Sequence, residues 1–335
     1  MHKELITIEL IRNSLARKKI LSETTSNIDE IYNFFKKASQ SKNSDFHYLY
    51  ILNYIFNFIS SDKVSKRKTS SRVFEDLLAI IFNGDIADDV TRENNISIVP
   101  DSFQNVKDKI AGNKREKADL IFNRQETPYS ISVKTLVQEN TEINMGSFEK
   151  QVLYDGLGVE SYLNERKATN KEKIGLGSRS QLQRLFKFLQ KNNIYNNFEK
   201  KFSEMVRFIF DDDMILAIKN DSILEMYFIK GNDFVNLLTS RANNPDQLLA
   251  VVNRWEGNSI RINRKHLIEN TIRKVVLDFN ILDKTVIKNI NDFDLHLHQS
   301  YLEYFDADSK RTEVREEILA EFEELFDKFN NELGI

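Results

Sequence analysis

The chain has 335 residues, of which 41% are hydrophobic and 30% charged, with a formal net charge of −3, ten glycines, three prolines and no cysteine. That length suits one large domain or two ordinary ones, and the scarcity of Gly and Pro favours helices over a loop-rich all-β fold. The missing cysteines exclude a disulfide framework and a thiolate metal site, and the balanced charge excludes a basic bulk surface, so any affinity for nucleic acid has to come from local clusters.

Residues 1–68 read as a helical N-terminal region, in which Ile28, Ile31, Tyr32, Phe34 and Phe35 recur at helical spacing. The most apolar window, 46–59, is too short to span a bilayer and is interrupted by His47, Asn53 and Asn57. Its aromatic residues suit core packing or a subunit contact better than a stacking platform for single-stranded nucleic acid, because no basic residues interleave with them. No secretory signal is visible, so a cytoplasmic protein without membrane association is expected. A polar, basic linker at 61–72 then opens a helix with an apolar stripe of Phe74, Leu77, Leu78, Ile81 and Phe82. Glu75 sits at the edge of that stripe, where the plain reading is a solvated carboxylate. Beyond it, 83–116 is rich in turns, with a strand expected at 96–99 followed by Pro100-Asp101, whose surroundings are not apolar enough for a catalytic strand.

Residues 117–136 are the most informative. Two short apolar-rich runs flank a polar turn containing Pro128, which reads as a β-hairpin. Side chains alternate along a strand, so Asp119, Ile121 and Asn123 share one face of the first run. On the second run Ser130, Ser132 and Lys134 share a face, with Ile131 and Val133 turned the other way. Antiparallel pairing sets Asp119 opposite Ser132 or Lys134. A carboxylate and an ammonium then lie side by side in runs that belong in a core, where such groups are rare unless paired or used.

The polar stretch 138–146 follows, and Ser147 is expected to cap a helix reaching about residue 155, with Glu149 in its first turn. Residues 163–191 are basic, and Gly175-Leu-Gly-Ser-Arg179 lacks the Gly-Lys-Thr/Ser ending of a phosphate-binding P-loop. A basic loop leading into a helix capped by Ser178 or Ser180 makes Lys173 and Arg179 candidates for DNA-backbone contact, with a solvated surface helix as the alternative. Two strands are expected within 214–219 and 224–229, joined through Asn220 and Asp221, and then a helix around 234–238. This order of helices and strands argues for a mixed sheet with helices packed on it. In 254–264, Ser259, Arg261 and Asn263 share one strand face and Ile260 and Ile262 the other. Arg254, Arg261, Asn263 and Arg264 either read bases, Arg pairing with guanine and Asn with adenine, or form a polar edge strand charged against aggregation. The C-terminal stretch reads as a helix with an acidic outer face, suited to packing or a dimer contact away from DNA.

An Asp, an interval of about a strand and a turn, and then acid-x-Lys on the next strand resembles the PD-(D/E)xK nuclease superfamily, over roughly residues 70–240. Here Asp119 precedes Ser132-Val133-Lys134, so a serine stands at the acid position. That variant is similar to the restriction endonucleases that cut sites with a CCGG core, in which a Glu about fourteen residues after the Lys supplies the missing carboxylate. Glu149 lies fifteen residues after Lys134, and Glu139 and Glu142 are its rivals. The resemblance implies an α/β fold with the mixed central sheet of an αβββαβ core. The nuclease core and its DNA-recognition insertions would occupy 69–270, flanked by helical regions 1–68 and 271–335. It further implies a type II restriction endonuclease that hydrolyses double-stranded DNA at specific sites with Mg²⁺. Asp119, Glu149, the Val133 carbonyl and Glu75 would serve the metal, Lys134 the phosphate or the attacking water, and Ser132 would occupy the vacant acid position. Lys173, Arg179, Arg254, Arg261, Asn263 and Arg264 would meet DNA. A homodimer or tetramer and a cognate DNA methyltransferase as genetic partner go with that reading. Three other classes stay open: a repair or phage nuclease that cuts by structure, a non-catalytic DNA-binding protein with a decayed site, and a helical scaffold with an incidental hairpin.

Overall fold

The computed structural model describes residues 27–40, 74–75, 78, 82, 85–86, 118–122, 129–138, 140–147, 151–154, 156–159, 162, 178–220, 223–256 and 259–278. Helix α1 (Ile28–Gln40) precedes strands β1 (Asp85–Ile86), β2 (Leu120–Phe122), β3 (Tyr129–Val137) and β4 (Glu142–Ser147). Helices α2 (Gln151–Tyr154), α3 (Arg179–Lys191) and α4 (Tyr195–Ile209) lead to β5 (Asp213–Asn220) and β6 (Ile223–Ile229). Then come α5 (Gly231–Ala242), α6 (Pro245–Val251), β7 (Val252–Glu256), β8 (Ser259–Asn263), α7 (Arg264–Glu269) and β9 (Lys274–Asp278).

The fold is mixed α/β. Six of the described strands form one sheet in the order β1-β2-β3-β5-β6-β9. Its neighbours are antiparallel except β3 and β5, which run parallel. A parallel neighbour needs a crossover, and the chain makes it through β4, α2, α3 and α4. Met214 to Ile218 of β5 are all buried, as expected of a strand covered on both faces. Met214, Leu216 and Ile218 meet a core built from α3, α4, α5 and α6. On the opposite face Tyr32 and Phe35 of α1 pack on Phe228 of β6, with ring centroids 5.6 and 5.9 Å apart. Asp29 of α1 pairs with Lys230 at 2.6 Å and Arg273 at 2.5 Å, fixing the helix over the sheet.

A second sheet has the order β4-β8-β7, antiparallel throughout. Its inner face, including Ile143, Met145, Trp255, Ile260 and Ile262, joins the same helical core. Its other face carries Glu142, Asn144, Arg254 and Arg261, because strand side chains alternate. The expected burial of Ile260 and Ile262 opposite Arg261 is what the structure has.

Two expectations are corrected. Residues 142–147, expected as a polar stretch, are strand β4, with Ser147 paired to Ser259; the described helix covers Gln151–Tyr154, and residues 148–150, where a helix capped by Ser147 would open, lie outside the described residues. The polar composition hides a period of two, Glu142 and Asn144 alternating with the buried Ile143 and Met145. Residues 274–278, placed in the helical C-terminal region, are β9, with Val275 and Leu277 buried against the sheet and β6 as partner. Of the two serines proposed to cap α3, Ser178 does so, in a reciprocal capping box with Gln181. The aromatic window 46–59, the strand at 96–99, Pro100-Asp101 and the acidic C-terminal helix lie outside the described residues.

Candidate active site

The hairpin register decides the site. Leu120 pairs with Ile131 and Phe122 with Tyr129, while Asp119 donates its N–H to the Ile131 carbonyl at 2.9 Å. Asp119 therefore falls opposite Ser132, one of the two registers expected. A single carboxylate oxygen, Oδ2, accepts from Ser132 Oγ at 3.0 Å, Val133 N at 2.7 Å and Lys134 Nζ at 3.3 Å. The other oxygen, Oδ1, takes no hydrogen bond from the described residues. Both side chains of the ion pair are about one-fifth exposed, at 20% for Lys134 and 18% for Asp119.

Burial works against the Asp119 charge, but the Lys134 ammonium, the Val133 N–H and the Ser132 hydroxyl outweigh it and hold its pKa below the ordinary value. Asp119 is ionised at neutral pH. Ser132 does not take over a carboxylate's place in this arrangement; it donates to one. Val133 sends its N–H to Asp119, and in an extended strand a residue's carbonyl leaves on the same side as its N–H. β2 starts at Leu120, so no β2 residue pairs with Val133.

Asp119 and Lys134 open into a cleft of about 610 Å³. One wall holds Glu75, Asp119 and Lys134; the other holds Glu142, Arg254 and Arg261 from the smaller sheet. Glu75 is only 5% exposed, so the solvated carboxylate expected at the stripe edge is a buried one facing the Asp119 cleft. On the far wall Arg254 Nε donates to Glu142 Oε2 at 2.7 Å, and Asn253 Nδ2 donates to Glu142 Oε1. Arg179 Nη1 in turn donates to Asn253 Oδ1 at 3.2 Å. Asn253 carried no local sequence signal, since its partner Glu142 is 111 positions away.

The remaining candidates separate. Arg261 lines the Asp119 cleft. Asn263, on the same strand face, accepts from Lys265 N at 3.1 Å and caps α7; an Asn directly before a helical run is the signal that finds such a cap. Arg264 donates to the Gln138 carbonyl at 2.8 Å and lines a different cavity, of about 170 Å³, with Glu225 and Tyr227. Glu149, Glu139 and Lys173 lie outside the described residues.

Among the described residues, no three His, Cys, Asp or Glu side chains gather as a metal-binding group. On the Asp119 side of the cleft the oxygen donors are the Asp119 and Glu75 carboxylates, with Val133 beside them, while the Glu142 carboxylate is engaged by Arg254. Such a set suits Mg²⁺, which commonly uses one or two carboxylates and keeps several waters.

Comparison of the chain with protein-family models, with curated proteins and with solved structures finds no match in any of the three. No helix among the described residues is long and apolar enough to cross a membrane.

Proposed function

We propose that the chain is a metal-dependent nuclease of the PD-(D/E)xK kind, acting on double-stranded DNA, and more finely a type II restriction endonuclease. The observation that carries the reading is the Asp119–Lys134 pair on adjacent hairpin strands, bound through one carboxylate oxygen and opening into a cleft with arginines on its far wall. The parallel β3 and β5, joined by a helical crossover, agree with the αβββαβ order that the resemblance implies.

Phosphodiester hydrolysis needs a water in line with the leaving oxygen and stabilisation of charge on the phosphate. A bound Mg²⁺ supplies positive charge and makes a nucleophile available near neutral pH. Asp119, through Oδ1, and Glu75 are the described carboxylates that would hold it, with the Val133 carbonyl beside them and Glu149 as the further acid. Lys134 lies within hydrogen-bonding distance of Asp119; it would donate to a non-bridging phosphate oxygen or orient the attacking water. Ser132 and the Val133 N–H keep the carboxylate oriented while Lys134 turns to the phosphate. A homodimer or tetramer, a cytoplasmic location and a partner methyltransferase belong to the restriction reading.

A second reading, a non-catalytic DNA-binding protein, is favoured by Ser132 at the acid position. Incubation of the pure protein with phage DNA and Mg²⁺ separates the readings. Discrete bands are expected; a smear assigns a nuclease without site preference, and intact DNA overturns the catalytic reading.

A further inference from the structure

Arg261 occupies an unusual position. On β8 it pairs with Arg254 across one edge and with Asn144 across the other. Its Nε is buried and has no hydrogen-bond partner among the described residues. A guanidinium keeps its charge throughout the physiological range, and a buried donor without an acceptor costs stability. Like charges directly opposite on neighbouring strands also repel. Glu142 answers this at Arg254, taking its Nε at 2.7 Å, and Asn253 donates to the same carboxylate. Arg261 is left with a like charge beside it and an unmet donor, and it lines the cleft that holds Asp119 and Lys134.

We propose that Arg261, with Arg254 beside it, forms a phosphate-binding subsite for the nucleic-acid backbone across the cleft from Asp119 and Lys134, and that it reads no base. The source of the phosphate rests on the nuclease reading; the anion site itself rests on the geometry. The planar guanidinium fork matches phosphate oxygens. A phosphodiester has two non-bridging oxygens and can face both walls of a cleft at once. Base reading needs a side chain that reaches base edges within a groove, whereas Arg261 lines the cleft that holds Asp119 and Lys134 and there meets the backbone first. Glu142 is a positioning residue here: it holds Arg254 next to Arg261 and competes with the entering anion for it.

The test is calorimetric titration of the metal-free native protein with inorganic phosphate at fixed ionic strength, followed by binding to two duplexes of unrelated sequence over a salt series. Arg261→Ala should weaken phosphate binding by about tenfold or more, and Arg261→Lys should weaken it less, because charge survives but the fork does not. Glu142→Gln should tighten it, since a competing carboxylate is neutralised. On DNA, Arg261→Ala should lose affinity equally for both duplexes and lower the salt slope by about one. No phosphate binding by the native protein, unchanged binding in both Arg261 variants, or a loss confined to one duplex would overturn the subsite. If Arg261→Ala fails to fold, Arg261→Lys and Glu142→Gln decide, because their expected effects have opposite signs. Arg261-dependent phosphate binding by a protein that cuts no DNA removes the nuclease reading and keeps the subsite. Cleavage with phosphate binding indifferent to Arg261 does the reverse.

Discussion

The two walls of the cleft are made in different ways. The Asp119–Lys134 wall is local: the carboxylate and its three donors come from one hairpin, at sequence separations of 13 to 15. The far wall is assembled from β4, β7 and β8, and its central pair, Glu142 with Arg254, spans 112 positions. The Asp119 carboxylate of the first wall is satisfied within its own hairpin. The second brings two arginines together with one of them unanswered, an arrangement that long-range pairing imposes and an anion relieves. On the nuclease reading, the Asp119–Lys134 pair, held by three donors, would place preorganisation where bonds change, and the arginine wall would place adaptability where the substrate is gripped.

Breaking the local wall should have the largest effect. Lys134→Ala is expected to abolish Mg²⁺-dependent cleavage while leaving duplex binding intact, since removing a single well-placed donor from a charge-stabilising site costs roughly 10²–10³ in rate. Plasmid cleavage and gel-shift titrations measure the two. A fully active variant would remove the chemistry from this hairpin.

Next in size is the choice of the second carboxylate. Glu149→Ala is expected to remove cleavage, because Ser132 brings no negative charge and Glu149 stands at nearly the interval at which the CCGG-cutting group carries its extra acid. Glu75→Gln, which keeps the shape of a buried side chain facing the same cleft, should lower the rate and raise the Mg²⁺ concentration needed for half-maximal activity. If Glu149→Ala cuts normally and Glu75→Gln does not, the buried Glu75 carries the role instead.

A smaller effect, on stability, should follow pH. The folded-state pKa of Asp119 lies below its unfolded value, so the stabilisation is fully present above about pH 3.9 and is lost as pH falls through the folded value. Asp119→Asn should flatten the acid limb of the stability curve, and at neutral pH it should cost about 1–3 kcal/mol, because charge-assisted hydrogen bonds are lost and the Lys134 ammonium, only one-fifth exposed, loses the carboxylate it pairs with. Urea unfolding between pH 3 and 7 checks both. Parallel acid limbs for the native protein and the variant would mean that other carboxylates set the acid response.

How much of this was readable from the chain follows the same division. The hairpin and the face shared by Ser132 and Lys134 are short-range patterns of period two, the β5–β6 pair is two apolar runs joined by a polar turn, and the structure has all of them. β4 reads as a polar loop because its alternation, Ile143 and Met145 against Glu142 and Asn144, is too short to stand out and its partner, β8, lies more than a hundred positions away. β9 reads as helix for a similar reason: two buried residues alternating in a five-residue strand are a weak signal until β6 is alongside. Burial of Glu75 depends on which face of its helix meets the sheet, which the stripe alone leaves open at its edge. Arg261, Asn263 and Arg264 looked like one reading surface because they are close in sequence. A helix starting at Arg264 sends Asn263 into a cap and Arg264 into another cavity.

The smallest expected effect tests what Ser132 does. If it filled the acid position as a ligand or a proton carrier, its removal would be as damaging as that of Lys134. Its hydroxyl instead supplies one of three donors to Asp119 Oδ2, at 3.0 Å, and the shortest of the three is the Val133 N–H at 2.7 Å. Backbone donation survives any side-chain change, so Ser132→Ala should leave Asp119 with two donors and an intact register. The expected cost is that of one hydrogen bond, about 0.5–1.5 kcal/mol in stability, and no more than about tenfold in cleavage rate by the same conversion. The Asp119 carboxyl should titrate at higher pH in the variant, because one of the three groups that hold its pKa down is gone. Carbon-detected NMR of the Asp119 side chain reads that shift directly. Loss of cleavage with an unshifted Asp119 titration would give Ser132 a role in the reaction itself rather than in holding the carboxylate.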